Sequence, residues 1–273
     1  VIDEQKRAQL VEWVYEAGRL ALSFRTALGV QSKADGSLVT AADRAVEAYL
    51  RPLLLELQPG VVWGEEQGFA GDEDEPLWLI DPIDGTSNFA FGQPLWGVSV
   101  GLRMGGKLVL GAVYLPELDE MYAAHLGGGA TCNGGPLPML DTSPTQPSDL
   151  TSPTQPSDLI GYGDVDTYHA FRKVYPGKMR HNGAFVIEAM FMASGRLRAM
   201  TSSRACLRAC LYDAAGSFVI LTELGAKYWT LDGQEFDPAT SPVPGLMPPL
   251  IASAPGVFDL SRLGKILPNL SGA

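Results

Sequence analysis

Cysteine, histidine and basic charge are all scarce in this chain of 273 residues. The cysteines number three, Cys132, Cys206 and Cys210, too few and too irregularly spaced for a disulfide framework or a thiolate metal site. Cys206 and Cys210 lie four apart, a spacing that would put them on one face of a helix, and packing in a reducing setting is the expected role of all three. His125 and His169 belong to no motif, so surface or packing roles are expected for them as well. Against 20 Lys plus Arg stand 31 Asp plus Glu, a net charge of −11 that repels nucleic-acid backbones and anionic membranes. Neither nucleic acid nor membrane is expected as a partner. No apolar run approaches the ~18 residues of a spanning helix, and Val1-Ile2-Asp3-Glu4-Gln5 has neither the basic start nor the apolar core of a signal peptide. A cytoplasmic location is expected. What the chain does have is a balance of 46% hydrophobic and 19% charged residues, which builds a globular core.

Leu10, Val14, Ala17, Ala21, Phe24 and Leu28 alternate spacings of three and four, predicting an amphipathic helix over 4–28. A second helix is expected from Thr40, burying Val46, Leu50, Leu53, Leu54 and Leu57. Val61-Val62-Trp63 reads as a strand, and Leu77-Trp78-Leu79-Ile80 as another that runs directly into Asp81. Residues 96–104 and 108–114, joined by Gly105-Gly106, predict a hairpin, with a third strand over 120–124. In the second half, helices over 184–194 and 213–224 alternate with strands near 197–201, 227–231 and 250–253. This alternation predicts a layered α/β fold, with a mixed or antiparallel sheet in the first half. Residues 142–150 and 151–159 repeat the nonapeptide Thr-Ser-Pro-Thr-Gln-Pro-Ser-Asp-Leu, whose prolines preclude regular structure. The expected organisation is an N-terminal α+β lobe over 1–140, a Pro-rich connection over 141–160 and a C-terminal α/β lobe over 161–273.

Chemistry concentrates in the acids. Asp81 and Asp84 lie three apart on a turn in which Pro82 fixes φ and Gly85 permits a tight bend. Carboxylates converging on one point repel unless a cation lies between them or a proton is shared, and an all-oxygen donor set suits Mg²⁺. Thr86-Ser87-Asn88-Phe89 can start a short helix whose first N–H groups, from Gly85 and Thr86, face a bound anion. Other acids have plainer readings on their own: Glu65-Glu66 as a solvated loop, Asp213 as an N-cap, and Asp43 as the third residue of a capping box with Thr40.

Taken together, these segments resemble the inositol monophosphatase family. Asp81-Pro82-Ile83-Asp84-Gly85-Thr86-Ser87-Asn88-Phe89 resembles the family signature, which fructose-1,6-bisphosphatases, histidinol phosphatases and nucleoside-bisphosphate phosphatases share. Lys33 and Asp35 with Leu38-Val39-Thr40-Ala41-Ala42-Asp43 resemble its early Lys and Val-Thr-x-x-Asp segment. Gly64-Glu65-Glu66 resembles its Gly-Glu-Glu loop, and Gly129-Ala130-Thr131-Cys132-Asn133-Gly134 its Gly-x-x-x-Asn-Gly turn. Tyr212-Asp213-Ala214-Ala215-Gly216 is similar to its Trp-Asp-x-Ala-Gly motif, with Tyr in place of Trp. The matches fall in family order, from residue 33 to about 253.

The resemblance implies an αβαβα sandwich, usually homodimeric, and a lithium-sensitive, Mg²⁺-dependent phosphomonoesterase acting on a small phosphorylated metabolite. It implies a first Mg²⁺ on Glu65, Asp81 and the Ile83 carbonyl and a second on Asp81, Asp84 and Asp213, with a third, weaker ion beside Glu65. It implies that Asp43 and Thr86 orient or deprotonate the attacking water, with Glu65 in the catalytic set. Gly85 and Thr86 would bind the phosphoryl oxygens. Asp84, Asp213 and the rim residues Arg180, His181, Gly183 and Ala184 would meet the rest of the substrate. The rim departs from inositol-selective members, since Cys206 stands where they carry a carboxylate, and Arg204 or Arg208 can meet a second anionic group. An inositol-1-phosphate-like or sugar phosphate is therefore weighed against fructose 1,6-bisphosphate, histidinol phosphate and a nucleoside 3′,5′-bisphosphate. From another class, a non-catalytic binding factor for transcription machinery is the alternative, which a net charge of −11 disfavours.

Overall fold

The computed structural model describes residues 2–25, 31–32, 38–69, 71, 76–143, 160–161, 168–169, 178–202, 210–231 and 233–257. Lys33, Asp35, Arg204, Cys206, Arg208 and the tandem nonapeptide from residue 144 onward lie outside the described residues. The chain runs α1 (Glu4–Ser23), β1 (Gln31–Ser32), β2 (Leu38–Val39), α2 (Ala41–Leu57), β3 (Val61–Gly64), β4 (Leu77–Asp84) and α3 (Thr86–Ala90). β5 (Gly97–Met104), β6 (Lys107–Leu115), β7 (Glu120–His125), β8 (Ala130–Cys132) and β9 (Gly135–Pro136) follow. The second half holds β10 (Ile160–Gly161), β11 (Met179–Arg180), α4 (Phe185–Ala193), β12 (Ala199–Thr201), α5 (Leu211–Glu223), β13 (Lys227–Thr230) and β14 (Leu250–Ser253).

Helix starts follow their caps. Asp3 accepts the Lys6 N–H at 3.0 Å to open α1. Thr40 and Asp43 form a reciprocal capping box at the start of α2, as their spacing predicts. Strands β3 to β9 form a seven-stranded sheet in sequence order, parallel between β3 and β4 and antiparallel elsewhere. The β5–β6 hairpin turns on Gly105 and Gly106, whose φ values of 57° and 71° are those a two-residue hairpin loop needs. A second mixed sheet has the order β11-β10-β12-β14-β13.

Side-chain alternation along the large sheet divides the interior into two cores. Trp78, Ile80, Val98, Val100 and Ala112 face Leu10, Val14, Val46 and Leu50 of α1 and α2. Leu77, Leu79, Val113 and Leu115 face α4 and α5, whose outer sides meet Leu250 and Ala252 of the second sheet. Among the described residues the layers therefore run helix, sheet, helix, sheet. Helix α5 crosses the large sheet at glycines: a Cβ on Gly216 would lie 2.7 Å from the Val100 carbonyl oxygen, and one on Gly101 would lie 2.5 Å from Ala215 Cβ. That approach lowers the N-terminus of α5, with Asp213, onto the end of the sheet.

Candidate metal centre

The site begins with an irregularity in β4. Asp81 pairs with Ser99 and Asp84 with Gly97, so three steps along β4 match two along β5, a β-bulge. Pro82, which has no N–H to give the ladder, lies inside it. On a regular strand residues 81 and 84 would point to opposite faces. The extra residue reverses the alternation: Leu77 and Leu79 face α4 and α5, whereas Ile83 packs in the α1 and α2 core. Asp84 consequently shares the face of Asp81. The Ile83 N–H donates to Asp81 Oδ1 at 3.0 Å, which fixes the bulge from within. Beyond Gly85, whose φ is 88°, the short helix expected from Thr86 forms as α3.

Asp81 is 2% exposed and Asp84 7% exposed. Burial, followed by the charges of Glu65, Asp84, Asp213 and Asp43, holds the Asp81 carboxyl well above the usual carboxylate range. Burial also pushes Asp84 up to about 7, although the Val186 N–H, at 2.5 Å from Oδ2, works in the opposite direction. Asp43 is buried at the first turn of α2 and raised to about 6, again mainly by burial. Its Oδ2 accepts the Thr40 N–H at 2.7 Å and hydroxyl at 2.6 Å, while its Oδ1 is buried with no hydrogen-bond partner.

Carboxylate oxygens of Glu65, Asp81 and Asp213 all lie within 4.8 Å of one another. Asp84 is not in that group; its Oδ2 is turned toward the start of α4. Asp213 is the third residue of α5, and its Oδ2 accepts the Cys210 N–H at 2.6 Å. The helix thus starts two residues earlier than its sequence pattern suggests, and Asp213 reaches back to the cap instead of being the cap. Asp43 and Asp213 are in this sense equivalent, each fixed by the first turn of its own helix, where the helix dipole favours an anion. Cys210 precedes α5 in extended conformation, with its thiol pushed up to about 11 by burial and then by Asp213. It is a protonated packing group at neutral pH.

Two further contacts hold the cluster. Trp63, at the end of β3, meets Tyr212 edge to face, with centroids 5.0 Å apart and planes at 88°. The strand that leads to Glu65 is thereby joined to the helix that carries Asp213. The Glu65 N–H donates to the Ile80 carbonyl at 3.2 Å, one residue before Asp81. The Thr86 hydroxyl donates to the Ile83 carbonyl at 3.1 Å.

At the rim, Arg180 and His181 are exposed, and Gly183 and Ala184 lead into α4. The peptide of Asn182 is held from both sides: its carbonyl accepts from Asn88 Nδ2 at 2.8 Å, and its N–H donates to Glu188 Oε1 at 2.9 Å. Asn88 and Glu188 are both buried; Asn88 falls within the signature, whereas no pattern in the sequence marks Glu188. Nor does any pattern in the sequence mark Glu47. Its spacing of four from Arg51 reads as a solvated helix pair, yet its carboxylate is buried against the Glu65 turn.

These residues fit a hard divalent cation. The donors are all oxygen, and no ion pair reaches Asp43, Asp81 or Asp84 among the described residues. Asp81 is buried between the half-buried carboxylates of Glu65 and Asp213, and the buried Oδ1 of Asp43 has no hydrogen-bond partner, an arrangement of acids that a divalent cation would stabilise. No helix among the described residues is long and apolar enough to cross a membrane.

Comparison with known proteins gives the same assignment as the motifs. The sequence profile of the inositol monophosphatase family matches residues 3–248. A fructose-1,6-bisphosphatase/inositol-1-monophosphatase of Aquifex aeolicus is 32% identical over 211 residues, covering 76% of this chain and 77% of its own. Human inositol monophosphatase 1 is 32% identical over 215 residues, 73% of each chain. Among solved structures, an IMPase/NADP phosphatase complexed with Mg²⁺ and phosphate superposes with a TM-score of 0.78 at 23% identity, covering 97% of this chain and 95% of that one.

Proposed function

The chain belongs to the inositol monophosphatase family of phosphoric monoester hydrolases, and on that premise we propose that it is a Mg²⁺-dependent phosphomonoesterase of a small phosphorylated metabolite. The observation that carries this reading is the convergence of Glu65, after β3, and Asp213, on α5, upon the buried Asp81 of the β4 bulge, with carboxylate oxygens within 4.8 Å of one another. Glu65, Asp81 and the Ile83 carbonyl would hold one ion, and Asp81, Asp84 and Asp213 a second, with Asp81 common to both. A third, weaker ion would sit beside Glu65. When bound, Mg²⁺ supplies the positive charge that offsets the phosphoryl oxygens and the departing alkoxide, and it acidifies water.

The chain's own groups do the rest. Gly85 and Thr86 direct their N–H groups to the phosphoryl oxygens at the start of α3. Asp43, raised to about 6 and with its Oδ1 unspent, accepts a proton near neutral pH, and the Thr86 hydroxyl orients the water. Arg180, His181, Gly183 and Ala184 meet the alcohol portion of the substrate, with Asp84 and Asp213 beneath them. An inositol-1-phosphate-like or sugar phosphate is the substrate class, and the name of the Aquifex relative, which joins fructose-1,6-bisphosphatase to inositol-1-monophosphatase, supports this breadth. A homodimer is the expected assembly. The test is release of inorganic phosphate from a panel of inositol, sugar, histidinol and nucleotide phosphates, with Mg²⁺ and with EDTA, comparing wild type with Asp84→Asn. Mg²⁺-dependent release, much reduced in the variant, is expected. Unchanged release in the variant would remove Asp84 from the metal set.

A further inference from the structure

Glu47 lies one turn beyond Asp43 on α2 and is completely buried. Burying a carboxylate costs several kcal/mol unless every acceptor position is used. Here both oxygens are committed. Oε2 accepts the Glu66 N–H at 2.8 Å, and Oε1 accepts the Gln67 N–H at 3.2 Å together with Arg51 Nε at 2.8 Å. Arg51 extends the pair across the turn, donating to the Gly68 carbonyl at 3.1 Å and the Val62 carbonyl at 3.4 Å. Gly64 passes so close that an added Cβ would lie 2.3 Å from Glu47 Oε1. Glu65 is thus bracketed. Its own N–H is tied to β4 through Ile80, and the next two amides are tied to Glu47.

We propose that Glu47 and Arg51 are positioning residues that set the affinity of the centre for its cation by holding the turn that aims Glu65, without touching the cation themselves. An ordinary structural ion pair on a helix surface would bind its own helix. This one spends three donors and acceptors on the backbone of residues 66–68, next to the residue whose carboxylate meets Asp81 and Asp213. The proposal rests on the reading of Glu65 as a metal ligand, so the experiment tests the two separately.

Binding of Mn²⁺ to the full chain without substrate is measured by isothermal titration calorimetry for wild type, Glu65→Gln, Glu47→Gln, Arg51→Lys and Leu10→Ala. Amide hydrogen exchange of residues 65–68 is followed in EDTA. Glu47→Gln and Arg51→Lys are expected to weaken Mn²⁺ binding by roughly 10-fold or more and to speed exchange at residues 66 and 67. At saturating Mg²⁺ their kcat should stay near wild type while the Mg²⁺ concentration for half activity rises. Leu10→Ala, a cavity between α1 and α2 that removes none of the hydrogen bonds to residues 64–68, should lower thermal stability but leave Mn²⁺ affinity unchanged. If Glu65→Gln binds Mn²⁺ as wild type does, the ligand assignment fails. If Glu65→Gln loses the ion while folded Glu47→Gln or Arg51→Lys retains wild-type affinity, the positioning role is overturned. Should Glu47→Gln not fold, Arg51→Lys decides alone.

Discussion

Asp43 offers a sharp test of the electrostatics, because its charge can be removed while its hydrogen bonds are kept. In the metal-free protein burial raises its carboxyl from 3.8 to about 6. In the unfolded chain it ionises at the ordinary value, so between about pH 4 and pH 6 the folded state holds the extra proton. Stability therefore falls as pH rises through that window, and the whole penalty is present above it. A difference of about two units corresponds to about 3 kcal/mol. In Asp43→Asn one amide oxygen still accepts the Thr40 N–H and hydroxyl, and the ionisable group is gone. Urea unfolding of both proteins in EDTA at about pH 4 and about pH 8 gives the comparison. Wild type should lose up to about 3 kcal/mol more than the variant between the two conditions. Added Mg²⁺ should shrink that difference, since a cation beside Glu65 offsets the neighbouring charge that helps raise Asp43. Identical pH dependence in the two proteins would refute the assignment of a buried, proton-holding Asp43.

Asp81→Asn should reduce phosphate release by at least about 10²-fold, as read by steady-state kinetics at saturating Mg²⁺. In EDTA near neutral pH the same variant should melt higher than wild type, because it removes an acid that burial and its acidic neighbours hold against ionisation on folding. Gly216→Ala should cost about 1–3 kcal/mol in urea unfolding, since the new Cβ falls 2.7 Å from the Val100 carbonyl oxygen and 2.9 Å from that of Ala112. Activity should fall with it, as Asp213 lies on the same turn of helix. Leu79→Ala should cost about 2–5 kcal/mol through the cavity it leaves, with Mn²⁺ affinity unchanged in the fraction that remains folded.

Much of this fold is legible in local patterns. Thr40 and Asp43 mark the start of α2, Gly105-Gly106 mark the hairpin, and the spacing from Leu10 to Ala21 marks α1. The signature from Asp81 to Phe89 locates the site because its rare combination of Asp, Pro and Gly admits few other readings. What local patterns do not show is geometry made by distant pairing. The bulge that turns Asp84 to the face of Asp81 exists only against β5. Asp213 reads as an N-cap because Cys210 is not a residue that usually begins a helix, yet the crossing at Gly101 and Gly216 sets where α5 starts on the sheet. Glu47 and Arg51 are hidden for a similar reason. A Glu–Arg pair four apart is common on solvated helix faces, and only the return of the chain through residues 64–68 buries it.

Anomalous diffraction from crystals grown with Mn²⁺ would locate the ions on the carboxylates of the site. A strong peak is expected among Glu65, Asp81 and Asp213, with a second peak sharing Asp81 and reached by Asp84. Saturating Mn²⁺ that leaves these carboxylates bare, or a peak bound only elsewhere on the chain, would contradict their assignment as metal ligands.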